Sequence, residues 1–310
     1  MVTKFAPPPP PSTMTSAPQM NLNGTAITPM PAAPPPPAHP VAAKAPLIGK
    51  PKRQFMAPRI VLIATSGFGK TTCAAYAPNP LVLQARGETG YETLFNAGRA
   101  PEVDCARIDE WPGFLALLDS IKGSSYQTIA LDALGGFERL CHEHVCERDF
   151  KGKWSDNFMA YWKGYKVSVA DWLLMLARLD VLKDEGKTIL MLCHSGIHNY
   201  KNPLGPDYDR FVSDVEPAST WAVTEKWADA VLFGNFLTIV DTQATSNPRK
   251  GKGIGDDKRV IYTEHRDAYD AKNRYGMPSR IDMPDDHPEL MWNAIWQHIR
   301  KEQPNAAATS

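Results

Sequence analysis

Seven short apolar runs, set between stretches of helical spacing, constrain this chain more than any other feature. They are Ile60–Ile63, Leu81–Leu83, Ala106–Ile108, Thr128–Leu131, Thr188–Cys193, Ala230–Phe236 and Val260–Thr263. Most lack apolar–polar alternation, the mark of strands covered on both faces of a mostly parallel sheet. Helices are predicted between them. Pro112–Ile121 opens with a proline in its first turn, and Leu134–Phe150 follows the fourth run. Residues 158–185 carry apolar side chains spaced by three and four, from Trp162 to Leu182. The alternation predicts one α/β domain with a mostly parallel central sheet flanked by helices. The last two runs, joined by a polar loop at 242–258, read as an antiparallel pair at the sheet edge. No internal repeat is visible, and no apolar stretch reaches the roughly 18 residues a membrane span needs.

Proline and charge divide the chain. Sixteen of the 28 prolines fall in residues 1–58, and the first acidic residue of all is Glu88. A segment so poor in aromatics and apolar period cannot bury enough surface to offset its ordering entropy. Residues 1–57 are therefore expected to be a disordered, partly polyproline-II arm, 58–302 the folded domain and 303–310 a disordered tail. The arm reads first as a spacer and second as a docking element for a protein partner. The net charge of zero joins a basic front, +8 up to Gly87, to a body of −8. Five scattered cysteines without a CxxC pair, and a start without an apolar leader core, predict reduced thiols and a cytoplasmic protein. Cys141-His-Glu-His-Val-Cys146 lacks the second ligand pair that structural zinc requires.

The first apolar run leads directly into Thr65-Ser-Gly-Phe-Gly-Lys-Thr-Thr72. A buried strand, a glycine-bearing loop ending in Gly-Lys-Thr and a helix make the context of a phosphate loop. Gly67 and Gly69 let the backbone turn its N–H groups inward, and the helix directs its positive end at the same anion. Thr65, Ser66, Gly67, Phe68, Gly69, Lys70, Thr71 and Thr72 are thus the predicted phosphate cradle. Lys70 is expected to reach the β- and γ-phosphates of ATP, and the Thr71 hydroxyl to ligate Mg²⁺. The usual first glycine of the pattern is replaced by Ala64. Sixty residues on, Tyr126-Gln-Thr-Ile-Ala-Leu-Asp132 is a buried strand ending in an acid, which predicts Asp132 beside Thr71 at the metal.

This order of phosphate loop, acid-ended strand, long helix and then a strand ending in a polar residue (Ile189-Leu-Met-Leu-Cys-His194) resembles the RecA-like ATPase core. Over roughly residues 58–282 the chain looks most like small phage-type, RecA- and Rad51-related ATPases that anneal single strands. The resemblance implies a RecA-like P-loop fold, Mg-ATP hydrolysis, single-stranded DNA as partner and self-association in a ring or filament. It makes His194 the sensor of the γ-phosphate. It also implies a glutamate after the second strand that activates the attacking water; Glu88 is the candidate, with Glu92 as alternative. Ala271-Lys-Asn-Arg-Tyr-Gly-Met-Pro278 resembles a Lys-x-Arg element through which Lys272 and Arg274 would reach a neighbouring subunit's phosphate.

Two loops are candidates for DNA contact. Residues 195–215 carry Tyr200 and Tyr208 for stacking and Lys201 and Arg210 for phosphates, and Arg249-Lys-Gly-Lys-Gly is a basic tip. The competing reading is a P-loop ATPase module that acts on a protein partner without binding DNA.

Overall fold

Strand β1 (Arg59–Ala64), apolar from Ile60 onward, runs through the middle of the sheet, where every side chain after Arg59 is buried. In the computed structural model, residues 49–50, 54–241, 252–284 and 287–301 are described. The predicted arm up to residue 48 and the predicted tail lie outside them, as do Arg249, Lys250 and Gly251 of the basic tip.

The remaining strands are β2 (Pro80–Ala85), β3 (Asp104–Ile108), β4 (Thr128–Asp132), β5 (Thr188–Tyr200), β6 (Tyr208–Ser213), β7 (Ala230–Asp241), β8 (Lys252–Tyr262), β9 (Lys272–Asn273) and β10 (Arg280–Asp282). They are ordered β10-β8-β7-β1-β5-β4-β2-β3. From β3 to β7 every pairing is parallel. The last two predicted runs pair antiparallel as expected, but the short β10 covers β8, so β8 is not the outermost strand. β7 continues to Asp241 and β8 starts at Lys252, so the connection is shorter than the predicted 242–258 loop. β5 runs on past the sheet and turns back through β6 as a hairpin.

The seven α-helices among the described residues are α1 (Lys70–Ala75), α2 (Gly90–Asn96), α3 (Trp111–Ser120), α4 (Leu134–Phe150), α5 (Lys163–Asp184), α6 (Ala222–Trp227) and α7 (Met291–Lys301). One face of the sheet packs on α3, α4 and α5, with Trp111 stacked on Trp172 and Phe114 against Phe137 at a tilt. The other packs on α1 and α7 through Cys73, Ala74, Trp292, Ile295 and Ile299. The helix predicted over 158–185 starts only at Lys163. Tyr161 and Trp162 take left-handed backbone angles, φ 52° and 60°, and end the short turns at 154–162 before α5 begins. No helix among the described residues is long and apolar enough to cross a membrane.

Candidate nucleotide site

Parallel strands deliver their last residues to one edge, and ligands of open α/β sheets bind there. Ala64 ends β1 between His194 of β5 and Gly234 of β7. The alanine methyl in place of the usual glycine fits because its neighbour has none. A Cβ on Gly234 would lie 3.0 Å from that of Ala64 and 2.7 Å from the Phe68 ring. Gly67 and Gly69 turn the loop with φ of 77° and 102°, angles that disfavour any other residue. Phe68 is wholly buried and meets Phe236 edge-on, so only its backbone faces the cradle. Ser66 is exposed on the loop, Thr72 is buried in α1, and Thr65 Oγ1 donates to Asn235 Oδ1 at 3.4 Å.

Lys70 folds back over its own loop. Its Nζ donates to the carbonyls of Ala64 (2.8 Å) and Thr65 (3.2 Å), and no carboxylate pairs with it among the described residues. Burial lowers its pKa, although the nearby Asp132 charge works the other way. Beside it the Thr71 hydroxyl donates to Asp132 Oδ2 at 2.7 Å. Asp132 is buried; desolvation raises its pKa, against the Thr71 hydrogen bond. The chain passes close above this pair at Gly90, where a Cβ would stand 3.1 Å from Thr71 Oγ1. A hydroxyl and one buried carboxylate are hard oxygen donors, and no group of three His, Cys, Asp or Glu side chains converges among the described residues. That donor set suits Mg²⁺, which keeps waters and nucleotide phosphates as its other ligands. The Cys141–Cys146 stretch builds nothing comparable: Cys141 donates to the Ser168 carbonyl, and His142 packs against Phe158 and Tyr165, its pKa lowered by burial to about 4.

The turn after β2, closed by the Glu88 N–H on the Ala85 carbonyl and by Gly87 at φ 94°, brings Glu88 to the site. Its Oε1 lies 4.0 Å from His194 Nε2. Glu92, in the first turn of α2, instead pairs with Arg107 on the surface at 3.4 Å. The structure thus brings Lys70, Thr71, Glu88, Asp132 and His194 to one edge.

Lys272 and Arg274 are not there. They flank the beginning of β7, at the opposite edge of the sheet. Both do point the same way, as their spacing predicts, and both reach the Lys226 carbonyl. Lys272 Nζ also caps α6 through the Glu225 and Ala228 carbonyls, at 2.7 and 2.8 Å. Arg274 pairs with Asp229 at 3.0 Å, which also holds Arg59 at 2.9 Å. Both cations are committed within their own chain.

The hairpin disposes of its cations in the same manner. Arg210 is buried, pairs with Asp270 and lies 5.2 Å over the Tyr200 ring, while Lys201 pairs with Asp207 at 2.6 Å. Tyr200 and Tyr208 face one another across the strands, their rings 5.3 Å apart.

The connection from α4 to α5, which the sequence reading passed over, is different. An open depression of about 690 Å³ is lined by Lys151, Lys153, Lys163 and Lys166, with Tyr161 and the carboxylates of Asp149, which pairs with Arg148, and Asp156 among them. No ion pair occupies any of the four lysines among the described residues; Lys163 only lies 5.9 Å over the Phe150 ring. Tyr161 is 96% and Trp162 58% exposed. The signal was present in Lys151-Gly-Lys-Trp154 and Tyr161-Trp-Lys-Gly-Tyr-Lys166, cations interleaved with aromatics.

Fold and site together define an α/β P-loop nucleotide-binding domain. A family model described as an AAA domain matches residues 56–275, and the chain belongs to that family of P-loop ATPase-like domains. No curated protein matches the chain.

Proposed function

We propose that this protein is a RecA-like, self-associating ATPase that hydrolyses Mg-ATP while acting on single-stranded DNA in recombination or replication. The observation that carries the catalytic half is the 2.7 Å contact of Thr71 with Asp132 beside a Lys70 that, among the described residues, is held by backbone carbonyls alone. An ammonium so placed exchanges two neutral carbonyls for phosphate oxygens at little reorganisation cost. Thr71 and Asp132 would hold Mg²⁺, and that ion would supply charge neutralisation for the nucleotide phosphates when bound. The loop amides between Gly67 and Thr71 orient the phosphate chain. Glu88 accepts the proton of the water that attacks the γ-phosphorus, and His194, facing Glu88, donates to the γ-phosphate oxygens and so reports its presence.

The DNA half rests on the α4–α5 connection. Lysines that make no ion pair among the described residues track a phosphate backbone, and the exposed rings of Tyr161 and Trp162 offer stacking platforms that tolerate any base. The hairpin contributes less, since its cations are already paired. ATP turnover measured with and without single-stranded DNA is the test. A several-fold rise that disappears in Tyr161→Ala/Trp162→Ala supports the reading. A DNA-indifferent rate, with no binding at low salt, favours the competing reading in which the ATPase acts on a protein partner.

A further inference from the structure

Strand β2 is apolar except for Gln84, which is 1% exposed and whose Nε2 has no hydrogen-bond partner among the described residues. A buried amide N–H left unpaired is destabilising, so it calls for a reason. Register supplies one. Gln84 is directly paired with Asp132 across the parallel β2–β4 ladder. Side chains alternate along a strand. Leu81, Leu83 and Ala85 face α4, as do Ile129 and Leu131, whereas Val82 and Ala130 face α1. Gln84 and Asp132 therefore stand side by side on the α1 face, on strands about 4.8 Å apart. Thr71 occupies Oδ2 of that carboxylate. An amide offers N–H donors without charge, so it orients a carboxylate without competing for a cation.

We infer that Gln84 is a positioning residue of the nucleotide site, its Nε2 donating to the Asp132 carboxylate in the Mg-ATP-bound protein and fixing the orientation in which Asp132 faces Thr71 and the metal. The inference rests on the Mg-ATP reading above and adds to it a residue that never touches nucleotide. The test is a double-mutant cycle in the full chain, read by equilibrium binding of a fluorescent ATP analogue with magnesium and with a chelator. Gln84→Leu should weaken magnesium-dependent binding about tenfold, as expected for loss of a hydrogen bond to a charged group. It should leave binding in chelator unchanged, have no further effect in an Asp132→Asn background, and keep the unliganded melting temperature, because it removes an unpaired polar group. If Gln84→Leu fails to fold, Gln84→Met, equally long and unbranched, takes its place. Unchanged magnesium-dependent binding, or an equal loss in both backgrounds, overturns the inference alone. Absence of magnesium-dependent binding in the unaltered protein overturns the Mg-ATP reading and the inference with it.

Discussion

The two edges of the central sheet hold the same kinds of residues in opposite states. At the amino edge Arg59, Lys272 and Arg274 meet Asp180, Asp229 and the carbonyl end of α6, and each cation is satisfied within the chain. At the carboxyl edge Lys70 rests on two carbonyls, Glu88 and His194 stand 4.0 Å apart, and Asp132 is buried beside a hydroxyl. Charges that have found partners hold a fold together; charges left short of partners are prepared for a ligand. Backbone direction explains the asymmetry. Parallel strands end at one edge in loops that turn into helix N-termini, and at the other they receive helix C-termini, whose carbonyls take up cations.

That contrast breaks most directly at Lys70. Lys70→Ala should reduce ATP affinity about a hundredfold or more, by removing a charge-assisted contact to phosphate, while the melting temperature of the unliganded protein stays within a degree or two of the parent. A large fall in melting temperature would place Lys70 among the structural charges instead.

Next in size is the division between two glutamates. Glu88→Gln should lower kcat about 10²- to 10³-fold with little change in ATP affinity, in keeping with loss of a general base. Glu92→Gln should lose only the surface pair with Arg107 and turn over within about twofold of the parent. Steady-state kinetics on both variants decides it, and the reverse ranking would move the base into α2.

At the amino edge the expected loss is of stability. Asp229→Ala takes from Arg59 one of its two carboxylates, leaving it Asp180, and takes from Arg274 its ion pair, and should cost about 2 kcal/mol in denaturant unfolding, with nucleotide affinity of the folded fraction unchanged. Burial alone would raise the Asp229 pKa, but the hydrogen bonds and charge of Arg59 outweigh it and the net shift is downward. A carboxylate with a lowered folded pKa stabilises above its unfolded pKa, and that contribution disappears as pH falls through the folded one. Stability of the parent should therefore drop below about pH 4, and the Asp229→Ala variant should show a shallower acid slope.

The smallest effect belongs to Arg274. Its pair with Asp229 is half exposed, so Arg274→Ala should cost at most about 1 kcal/mol and change turnover little. A loss of about 10³-fold in kcat, restored by mixing with Lys70→Ala subunits, would instead show that Arg274 leaves Asp229 to reach a neighbour's phosphate.

The α/β class, the strand–loop–helix at Ile60–Thr72 and the acid at the end of β4 were legible in the chain alone. Each is encoded by residues adjacent in the chain, where steric and hydrogen-bond rules act over a few positions. Which of two glutamates faces His194, where Lys272 and Arg274 are committed, why Ala64 is tolerated next to Gly234 and why Gln84 stands beside Asp132 were decided only by the tertiary structure. These depend on strand order and register, which bring together residues 44 to 170 positions apart, and no local period carries that information. The α4–α5 connection belongs to both. Its lysines and aromatics could be read from the chain, but the exposure of the Tyr161 and Trp162 rings came only with the left-handed backbone at those two residues, ahead of α5.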